Sequence, residues 1–198
     1  MPWPDGLLVT LLTVNAAPFE KVSDMTLQNL TLVLGGAASG KSDFAESLAK
    51  KAEKQLVYIA TAQAFDREMQ EKIDRHRQSR GPGWRTVETP LDPSSAFSSL
   101  EAGEIALLDC ATLWLSNLLL AEADLAAEEA RLFAALADCQ APVIVVSNEV
   151  GAGIVPENAL ARRFRAAQGG FNRRLAARAD TVIGVMAGLP FALKGEMP

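Results

Sequence analysis

The glycine-rich segment at residues 35–42, GGAASGKS, constrains this chain more than any other feature, because it matches the pattern G-x-x-x-x-G-K-[ST]. In such a loop, successive backbone N–H groups converge on the phosphates of a nucleotide, and glycine is needed where the backbone turns tightly. Residues 31–34 before it are apolar like a buried strand, and residues 42–49 after it have helical spacing. Strand, loop and helix in this order predict a site for a nucleoside triphosphate.

Two residues of this loop have predicted roles in the chemistry. Lys41 is expected to reach the β and γ phosphates, and the hydroxyl of Ser42 to ligate Mg²⁺. The dipole of the following helix adds to the attraction for the anion. A glycine turn that binds no ligand is the alternative interpretation. The predicted nucleotide contacts in the loop are Gly35, Gly36, Ala37, Ala38, Ser39, Gly40, Lys41 and Ser42.

Length and composition limit the class of protein. A chain of 198 residues is long enough for one domain with a central sheet covered by helices. The formal net charge of −5 argues against a protein that coats nucleic acid. Cys110 and Cys139 form neither a metal-ligand pattern nor a disulfide framework, which is typical of a reduced, cytoplasmic protein. No apolar run approaches the length of a membrane span, about 18 residues.

The N-terminal segment differs from the rest of the chain. Residues 7–14 are as apolar as the centre of a signal peptide, but Asp5 and the lack of Lys or Arg before them do not fit an export signal. We expect residues 1–24 to be an extension, either disordered or the result of a start codon placed upstream of Met25, with an additional strand or arm as the alternative. Residues 25–198 are expected to form a single domain.

Apolar runs of strand length alternate with helical segments along the chain. Strands are predicted at residues 31–34, 56–60, 84–88, 105–109, 142–147 and 181–186. Helices are predicted at residues 42–49, 66–80, 113–138 with a break near 122–124, and 157–179 with a weak point at 169–170. This alternation predicts an α/β fold with a mainly parallel sheet that is buried on both faces.

Polar residues follow three of these strands at the edge where a ligand is expected. Right-handed crossovers place the ligand at the carboxyl ends of parallel strands, and Thr61, Asp109 and residues 147–149 lie there. Asp109 ends an apolar strand, which is the usual position of the Walker B acid that holds the Mg²⁺ shell or orients the nucleophile. A helix-capping aspartate is the alternative.

His76 is the only histidine of the chain. Within the predicted helix 66–80 it shares the sparse apolar face with Ile73, whereas Arg75 and Arg77 are expected to point elsewhere. A neutral imidazole is nucleophilic at pH 7 without special tuning. A partly buried histidine packed on its own helix is the alternative, and on the residues alone it is favoured.

The last long helix carries an apolar stripe and six arginines. The stripe predicts a core-facing side and consists of Leu160, Phe164, Ala167, Phe171 and Leu175. A solvated or intersubunit face is expected for the arginines, with one or two reaching phosphates. These are Arg162, Arg163, Arg165, Arg173, Arg174 and Arg178.

From residue 31 to about residue 194, the chain resembles the bifunctional adenosylcobinamide kinase/adenosylcobinamide-phosphate guanylyltransferase family of cobalamin biosynthesis. So many ordered matches are far more specific than a phosphate-binding loop alone. The segments that carry the resemblance are LGGAASGKS at 34–42, YIATAQ at 58–63, DREM at 66–69, IDRHR at 73–77, WRTVE at 84–88, LLDC at 107–110 and SNEVGAGIVPEN at 147–158.

The resemblance implies a RecA-like P-loop fold that assembles as a homotrimer. It implies that adenosylcobinamide is phosphorylated by ATP or GTP, and that GMP is then transferred from GTP through a guanylylated histidine at the position of His76. Lys41 and Asp109 would be the other catalytic residues, with Mg²⁺ held by Ser42 and Asp109. The implied nucleotide contacts outside the loop are Ala60, Thr61, Ala62, Arg77, Gln78, Ser79, Arg80, Glu88 and Asp109.

Two features depart from the family pattern. Asp43 adds a negative charge beside the phosphate site, where a basic or neutral residue is expected, and the N-terminal extension has no counterpart. Two other functions are also considered. One is a RecA-like assembly module driven by nucleotide, and the other is a transferase with only one of the two activities.

Overall fold

The computed structural model describes residues 29–64 and 67–198, without the side chains at 68, 69, 72 and 79. The predicted extension at residues 1–24 lies outside the described residues. The strands are β1 (Leu30–Gly35), β2 (Gln55–Ala60), β3 (Trp84–Glu88), β4 (Glu104–Asp109), β5 (Val143–Asn148), β6 (Thr181–Met186) and β7 (Leu189–Lys194). The helices are α1 (Lys41–Lys51), α2 (Arg67–Arg80), α3 (Pro93–Ser98), α4 (Ala111–Leu120), α5 (Leu125–Asp138) and α6 (Ala159–Arg178).

All seven strands belong to one sheet with the order β3-β2-β4-β5-β1-β6-β7. The pairs among β1 to β6 are parallel, and β7 alone runs antiparallel, beside β6. The phosphate-binding loop connects β1 to α1 and therefore lies in the middle of the carboxyl edge. This confirms the predicted α/β, RecA-like P-loop fold with a mainly parallel sheet.

Helices cover both faces of this sheet, as predicted. On one face, α3, α4, α5 and α6 enclose a large apolar core with Trp114 and Phe171 among its fully buried side chains. On the other face, α1 buries Ala45, Leu48 and Ala49 against β1, β4, β5 and β6. Because apolar residues fill both sides, the central strands β1, β4, β5 and β6 are continuous apolar runs rather than alternating ones.

The predicted break in the 113–138 segment is confirmed. Helix α4 ends at Leu120, where Glu122 adopts a positive φ of 53°. Helix α5 restarts at Leu125 because the carboxylate of Asp124 accepts hydrogen bonds from the backbone N–H groups of Ala126 and Ala127 at 3.0 and 3.2 Å. The weak point expected at 169–170 is absent, since α6 is continuous through both glycines.

Two elements were not predicted. Helix α3 has only six residues, too few for a periodic pattern. Strand β7 carries Pro190 and is exposed along most of its length, so its sequence lacks the signature of a buried strand. It exists because Ala187 and Gly188, with φ of 51° and 79°, form a tight turn that folds it back along β6.

The apolar stripe of α6 is buried only in part. Phe171 and Leu175 are fully buried, but Leu160 is 49% exposed, so its predicted place in the core is wrong. Most residues in the first turn of α6 are exposed, and spacing alone does not show which turns of a helix are covered.

We expect Phe171→Ala to lower the free energy of unfolding by about 3–5 kcal/mol, because the ring stacks on Phe133 with a centroid distance of 5.7 Å and the cavity left behind would lose those contacts. Leu160→Ala in the same helix should change it by less than about 0.5 kcal/mol. Urea denaturation of both variants measures the two values. Similar losses in both would contradict the burial pattern of α6.

Candidate functional site

A cavity of about 520 Å³ opens at the carboxyl edge of the sheet, between the phosphate-binding loop, the ends of β2, β3, β4 and β5, and helix α2. This is the edge where ligands bind in parallel α/β folds. Its lining residues are Ala38, Ser39, Gly40, Lys41, Ser42, Asp43, Tyr58, Ala60, Ala62, Ile73, His76, Arg77, Arg80, Thr86, Glu88, Asp109, Cys110, Leu113 and Asn148.

The loop backbone permits no side chain at two of its glycines. A Cβ on Gly35 would lie 2.6 Å from the carbonyl oxygen of Val185, and Gly40 has a φ of 88° that L-residues rarely adopt. Lys41 folds over the loop, where its Nζ donates to the carbonyl oxygen of Gly36 at 3.1 Å. The ammonium therefore already lies over the loop into which phosphates would bind.

The turn between β6 and β7 supports this loop from outside. The N–H of Gly188 donates to the carbonyl oxygen of Ser39 at 2.9 Å, and the Cα of Gly188 lies 3.2 Å from where a Cβ of Gly40 would be. An unpredicted hairpin thus fixes the loop conformation.

Thr61 shapes the end of β4 without lining the cavity. Its side chain is fully buried, and its hydroxyl both donates to the carbonyl oxygen of Cys110 at 2.7 Å and accepts from the N–H of Cys110 at 2.9 Å. Asn117 in turn donates to the Thr61 carbonyl oxygen at 2.8 Å. These bonds hold the backbone that follows Asp109, whose carboxylate lines the cavity.

Tyr58 also lines the cavity, although no sequence pattern marks it as a site residue. Burial raises its pKa well above the ordinary value, and the nearby carboxylate of Asp109 adds to this through its charge and a hydrogen bond. The guanidinium of Arg80 lies 3.4 Å from the ring centroid, and Trp84 contacts the ring edge-on. Arg80 is itself buried, so it anchors the end of α2 to the sheet.

Among the described side chains of α2, those that line the cavity are Ile73, His76, Arg77 and Arg80. Their spacing of i, i+3, i+4 and i+7 makes a single broad stripe of the helix. The expectation that Arg77 points away from the face of His76 is therefore wrong. The apolar residues of α2 mark only part of the face that lines the cavity, so a prediction from them alone makes this face too narrow. Both side chains thus line the cavity that contains the phosphate-binding loop.

Several predicted contacts do not line the cavity. Three of them, Gly35, Gly36 and Ala37, belong to the loop but are not among the residues that line the cavity. Thr61 is buried behind the cavity wall, and Gln78 is exposed on α2. The side chain of Ser79 is outside the described set. Residues that line the cavity but were not predicted as contacts are Asp43, Tyr58, Ile73, Thr86, Cys110, Leu113 and Asn148.

The arginines of α6 lie elsewhere, and none is among the described lining residues. Arg165 donates to the carbonyl oxygen of Gly151, Arg174 pairs with Glu129, and Arg178 stacks over Phe133. The partners of these three are groups of the protein itself, so the expectation that one or two arginines of α6 reach the phosphates gains no support from the described residues.

Comparison with known proteins identifies the family. The family described as cobinamide kinase / cobinamide phosphate guanyltransferase matches residues 31–193. The chain belongs to this family. It is 45% identical over 168 residues to the bifunctional adenosylcobalamin biosynthesis protein CobP of Pseudomonas aeruginosa, covering 83% of this chain and 97% of that protein. It is 41% identical over 182 residues to the corresponding CobU of Escherichia coli, covering 83% and 99%.

Similarity to solved structures is weaker. The RadB recombinase is 18% identical with a TM-score of 0.48, covering 78% of this chain and 73% of that one. The flagellar accessory protein FlaH of Methanocaldococcus jannaschii is 14% identical with a TM-score of 0.47, covering 85% and 79%. Among the described residues of this cobinamide kinase family member, no helix is long and apolar enough to cross a bilayer.

The cavity offers two oxygen ligands that suit Mg²⁺, the hydroxyl of Ser42 and the carboxylate of Asp109. In phosphate-transferring sites this ion is held by one or two protein groups together with substrate phosphates and water. Within the described part of the chain, no group of three or more His, Cys, Asp or Glu residues could hold a metal by itself. The residues therefore fit an ion that binds with the nucleotide.

Glu46 on α1 is the buried carboxyl closest in sequence to the loop. Burial raises its pKa above the ordinary value, Arg80 and Lys50 oppose this, and Asp109 and Asp43 add to it. A raised pKa means that the folded state holds the proton more tightly than the unfolded state. The resulting stabilisation is complete at low pH and is lost as the pH rises through the folded pKa.

We expect Glu46→Gln to lack this pH dependence, because the amide resembles the protonated acid. The free energy of unfolding of the wild type, relative to that of the variant, should fall as the pH rises from about 4, near the ordinary pKa of glutamate, towards neutral pH. Urea denaturation of both proteins at several pH values in this range measures the difference. A difference that rises with pH would mean that Arg80 and Lys50 outweigh burial.

Proposed function

We propose that this protein phosphorylates adenosylcobinamide with ATP or GTP, and then transfers GMP from GTP to adenosylcobinamide phosphate through guanylylated His76. The observation that carries the proposal is that His76 lines the same cavity as Lys41 and Asp109. One cavity thus contains a nucleophile together with the groups of a phosphate-binding loop, in a chain of the cobinamide kinase family.

In the first reaction, the loop backbone and Lys41 bind the β and γ phosphates, and positioning supplies most of the rate. Mg²⁺, when bound by Ser42 and Asp109, neutralises the charge that develops on the phosphates. The substrate hydroxyl oxygen bonds to the γ-phosphorus as the bond to the β–γ bridging oxygen breaks, and the nucleoside diphosphate leaves.

In the second reaction, neutral His76 attacks the α-phosphorus of GTP. An N–P bond forms while the bond to the α–β bridging oxygen breaks, and pyrophosphate leaves. A phosphate oxygen of adenosylcobinamide phosphate then attacks the same phosphorus. The N–P bond breaks, His76 returns to its neutral form, and adenosylcobinamide-GDP is released.

Other lining residues supply further nucleotide contacts in this proposal. Arg77 and Arg80 carry positive charge on α2, and Ala60 and Ala62 leave room beside the end of β2. The exposed carboxylate of Glu88 is an acceptor for the N–H donors of guanine.

A cytoplasmic homotrimer is proposed as the working state. Support comes from apolar side chains exposed around the β6–β7 hairpin, where Met186, Leu189 and Phe191 are 69%, 71% and 44% exposed. Such side chains are typical of a surface that a partner covers. Sedimentation equilibrium should give three times the mass of the chain, 21.1 kDa, and a monomer mass at micromolar concentration would contradict the trimer.

His76→Ala should abolish GMP transfer while phosphoryl transfer stays largely intact, because only attack at the α-phosphorus needs a protein nucleophile. Incubation of the wild type with α-³²P-GTP should label the protein with an acid-labile, base-stable adduct, and mass spectrometry should place it on His76. Label on another residue, or GMP transfer that survives the substitution, would refute the mechanism.

Lys41→Ala provides the opposite variant for the same assays. It should abolish phosphoryl transfer from γ-³²P-ATP, because the β and γ phosphates lose their cationic partner. Phosphoryl transfer near the wild-type rate in Lys41→Ala would contradict the assignment of residues 35–42 as the phosphate-binding loop. The result for His76→Ala would not be affected.

A further inference from the structure

The loop between β5 and α6, residues 149–158, adjoins the candidate site and supplies none of the predicted nucleotide contacts. It starts directly after Asn148, which lines the cavity, and the N–H of Glu149 donates to the carbonyl oxygen of Gly35 at 3.0 Å. Gly35 begins the phosphate-binding loop, so the two loops leave the sheet side by side. The β5–α6 loop therefore borders the place where phosphates would bind.

The tip of this loop exposes two adjacent apolar side chains. Ile154 is 97% exposed and Val155 is 67% exposed, and Leu160 in the first turn of α6 is 49% exposed. Single apolar side chains are ordinary on a protein surface, whereas several in one short segment are typical of a binding surface. Because Ile154 is only six residues from Asn148, its backbone lies at most about 20 Å from the cavity wall.

Two arginines of α6 hold both ends of the loop in place. Arg165 donates to the carbonyl oxygen of Gly151, and Arg162 donates to that of Pro156 at 3.0 Å and to that of Glu157. An arginine that binds one carbonyl oxygen loses side-chain entropy, and this ordering leaves the apolar tip unburied. A fixed loop with an exposed apolar tip is typical of a contact surface that is formed before its ligand arrives.

The two reactions of the proposed function need more contact surface than the cavity provides. A cavity of about 520 Å³ has the size of a site for one ligand as large as a nucleotide. Adenosylcobinamide is larger than a nucleotide, and only its aminopropanol arm reacts. The macrocycle must therefore rest outside the cavity while the arm reaches in to the phosphates.

We infer that the apolar tip of the β5–α6 loop, Ile154 with Val155, binds the corrin macrocycle of adenosylcobinamide and of its phosphate. This rests on the proposed function. The faces of a corrin ring are largely apolar, and β-branched side chains on a fixed backbone offer them a rigid contact surface. Carboxamide groups surround the ring, and the exposed backbone of residues 151–153 and the exposed carboxylate of Glu157 provide hydrogen-bond partners for them.

One macrocycle site serves both reactions, because both act on the same arm of the same molecule. The arm is flexible, so its hydroxyl reaches the γ-phosphorus, and later its phosphate reaches guanylylated His76, while the ring stays bound to the loop. The attack of His76 on GTP involves no corrinoid. The loop is therefore expected to affect both transfers to the corrinoid but not the guanylylation of the protein itself.

Ile154→Ser tests this surface by replacing an exposed apolar side chain with a polar one. The KM for cobinamide in phosphoryl transfer from γ-³²P-ATP, and the KM for cobinamide phosphate in GMP transfer, should each rise on the order of 10-fold, since apolar contact area is lost. Both kcat values should stay within about twofold, because a contact made equally in the ground state and the transition state contributes only to binding. Labelling of His76 by α-³²P-GTP without corrinoid should match the wild type.

Two control variants and a binding measurement accompany this test. Ile154→Leu keeps an apolar side chain of the same size and should retain the wild-type KM values. Leu120, at the end of α4, is 59% exposed and does not line the cavity, so Leu120→Ser should leave both KM values unchanged. The Tm of all three variants should lie near that of the wild type, because exposed side chains contribute little to stability. Equilibrium dialysis of cobinamide in the presence of ADP, followed by its visible absorption, should show the loss of affinity without turnover.

Each other outcome is decisive. Unchanged corrinoid KM values in Ile154→Ser, or a rise in only one of them, overturn the assignment and leave the proposed function intact. A lower sedimentation mass of Ile154→Ser would assign the tip to contacts between copies of this chain and also overturn it. A wild-type protein that transfers neither group in these assays overturns the proposed function, and the macrocycle site with it.

Discussion

The backbone of the phosphate-binding loop passes so close to β6 and to the turn after it that no side chain fits between them. Gly35 faces the carbonyl oxygen of Val185, and the Ser39 carbonyl oxygen accepts a hydrogen bond from Gly188. The rest of the site is organised around this contact. It fixes the loop at the end of β1, and the parallel strands on either side then bring Asn148 and Asp109 to the same edge.

The carboxyl edge carries two kinds of polar residue, which differ in burial. Some are buried and bind backbone groups, and others line the open cavity. Thr61, Asn117 and Asn172 are buried, and each forms hydrogen bonds with backbone groups that shape the edge. His76 and Asp109 line the cavity, where a ligand can reach them. A polar residue at the end of a strand can therefore support the site without touching the substrate, and this is the case for Thr61.

Most of the fold could be predicted from local patterns. Apart from β3, which reads WRTVE, the parallel strands show as apolar runs, and the loop motif with Asp109 predicts a site at one edge. The elements that were missed depend on distant parts of the chain: β7 is stabilised by pairing with β6, and the exposure of Leu160 depends on where neighbouring helices end. Spacing predicts Asn148 only as a polar residue at a strand end, because its place beside Gly35 depends on which strands are neighbours in the sheet. The same holds for Tyr58, whose place beside Asp109 follows from the register of β2 and β4.

The central position of β1 also has a consequence for how the chain folds during synthesis. Its neighbours β5 and β6 come more than a hundred residues later, and the backbone N–H of Leu30 bonds to Asp180 across a separation of 150 residues. Contacts of such long range form late, since much of the chain must be ordered first. The loop motif is synthesised well before the β6–β7 hairpin that supports it through Gly188. The nucleotide site should therefore form only after that hairpin has docked, and nucleotide binding would follow the assembly of the sheet rather than guide its first steps.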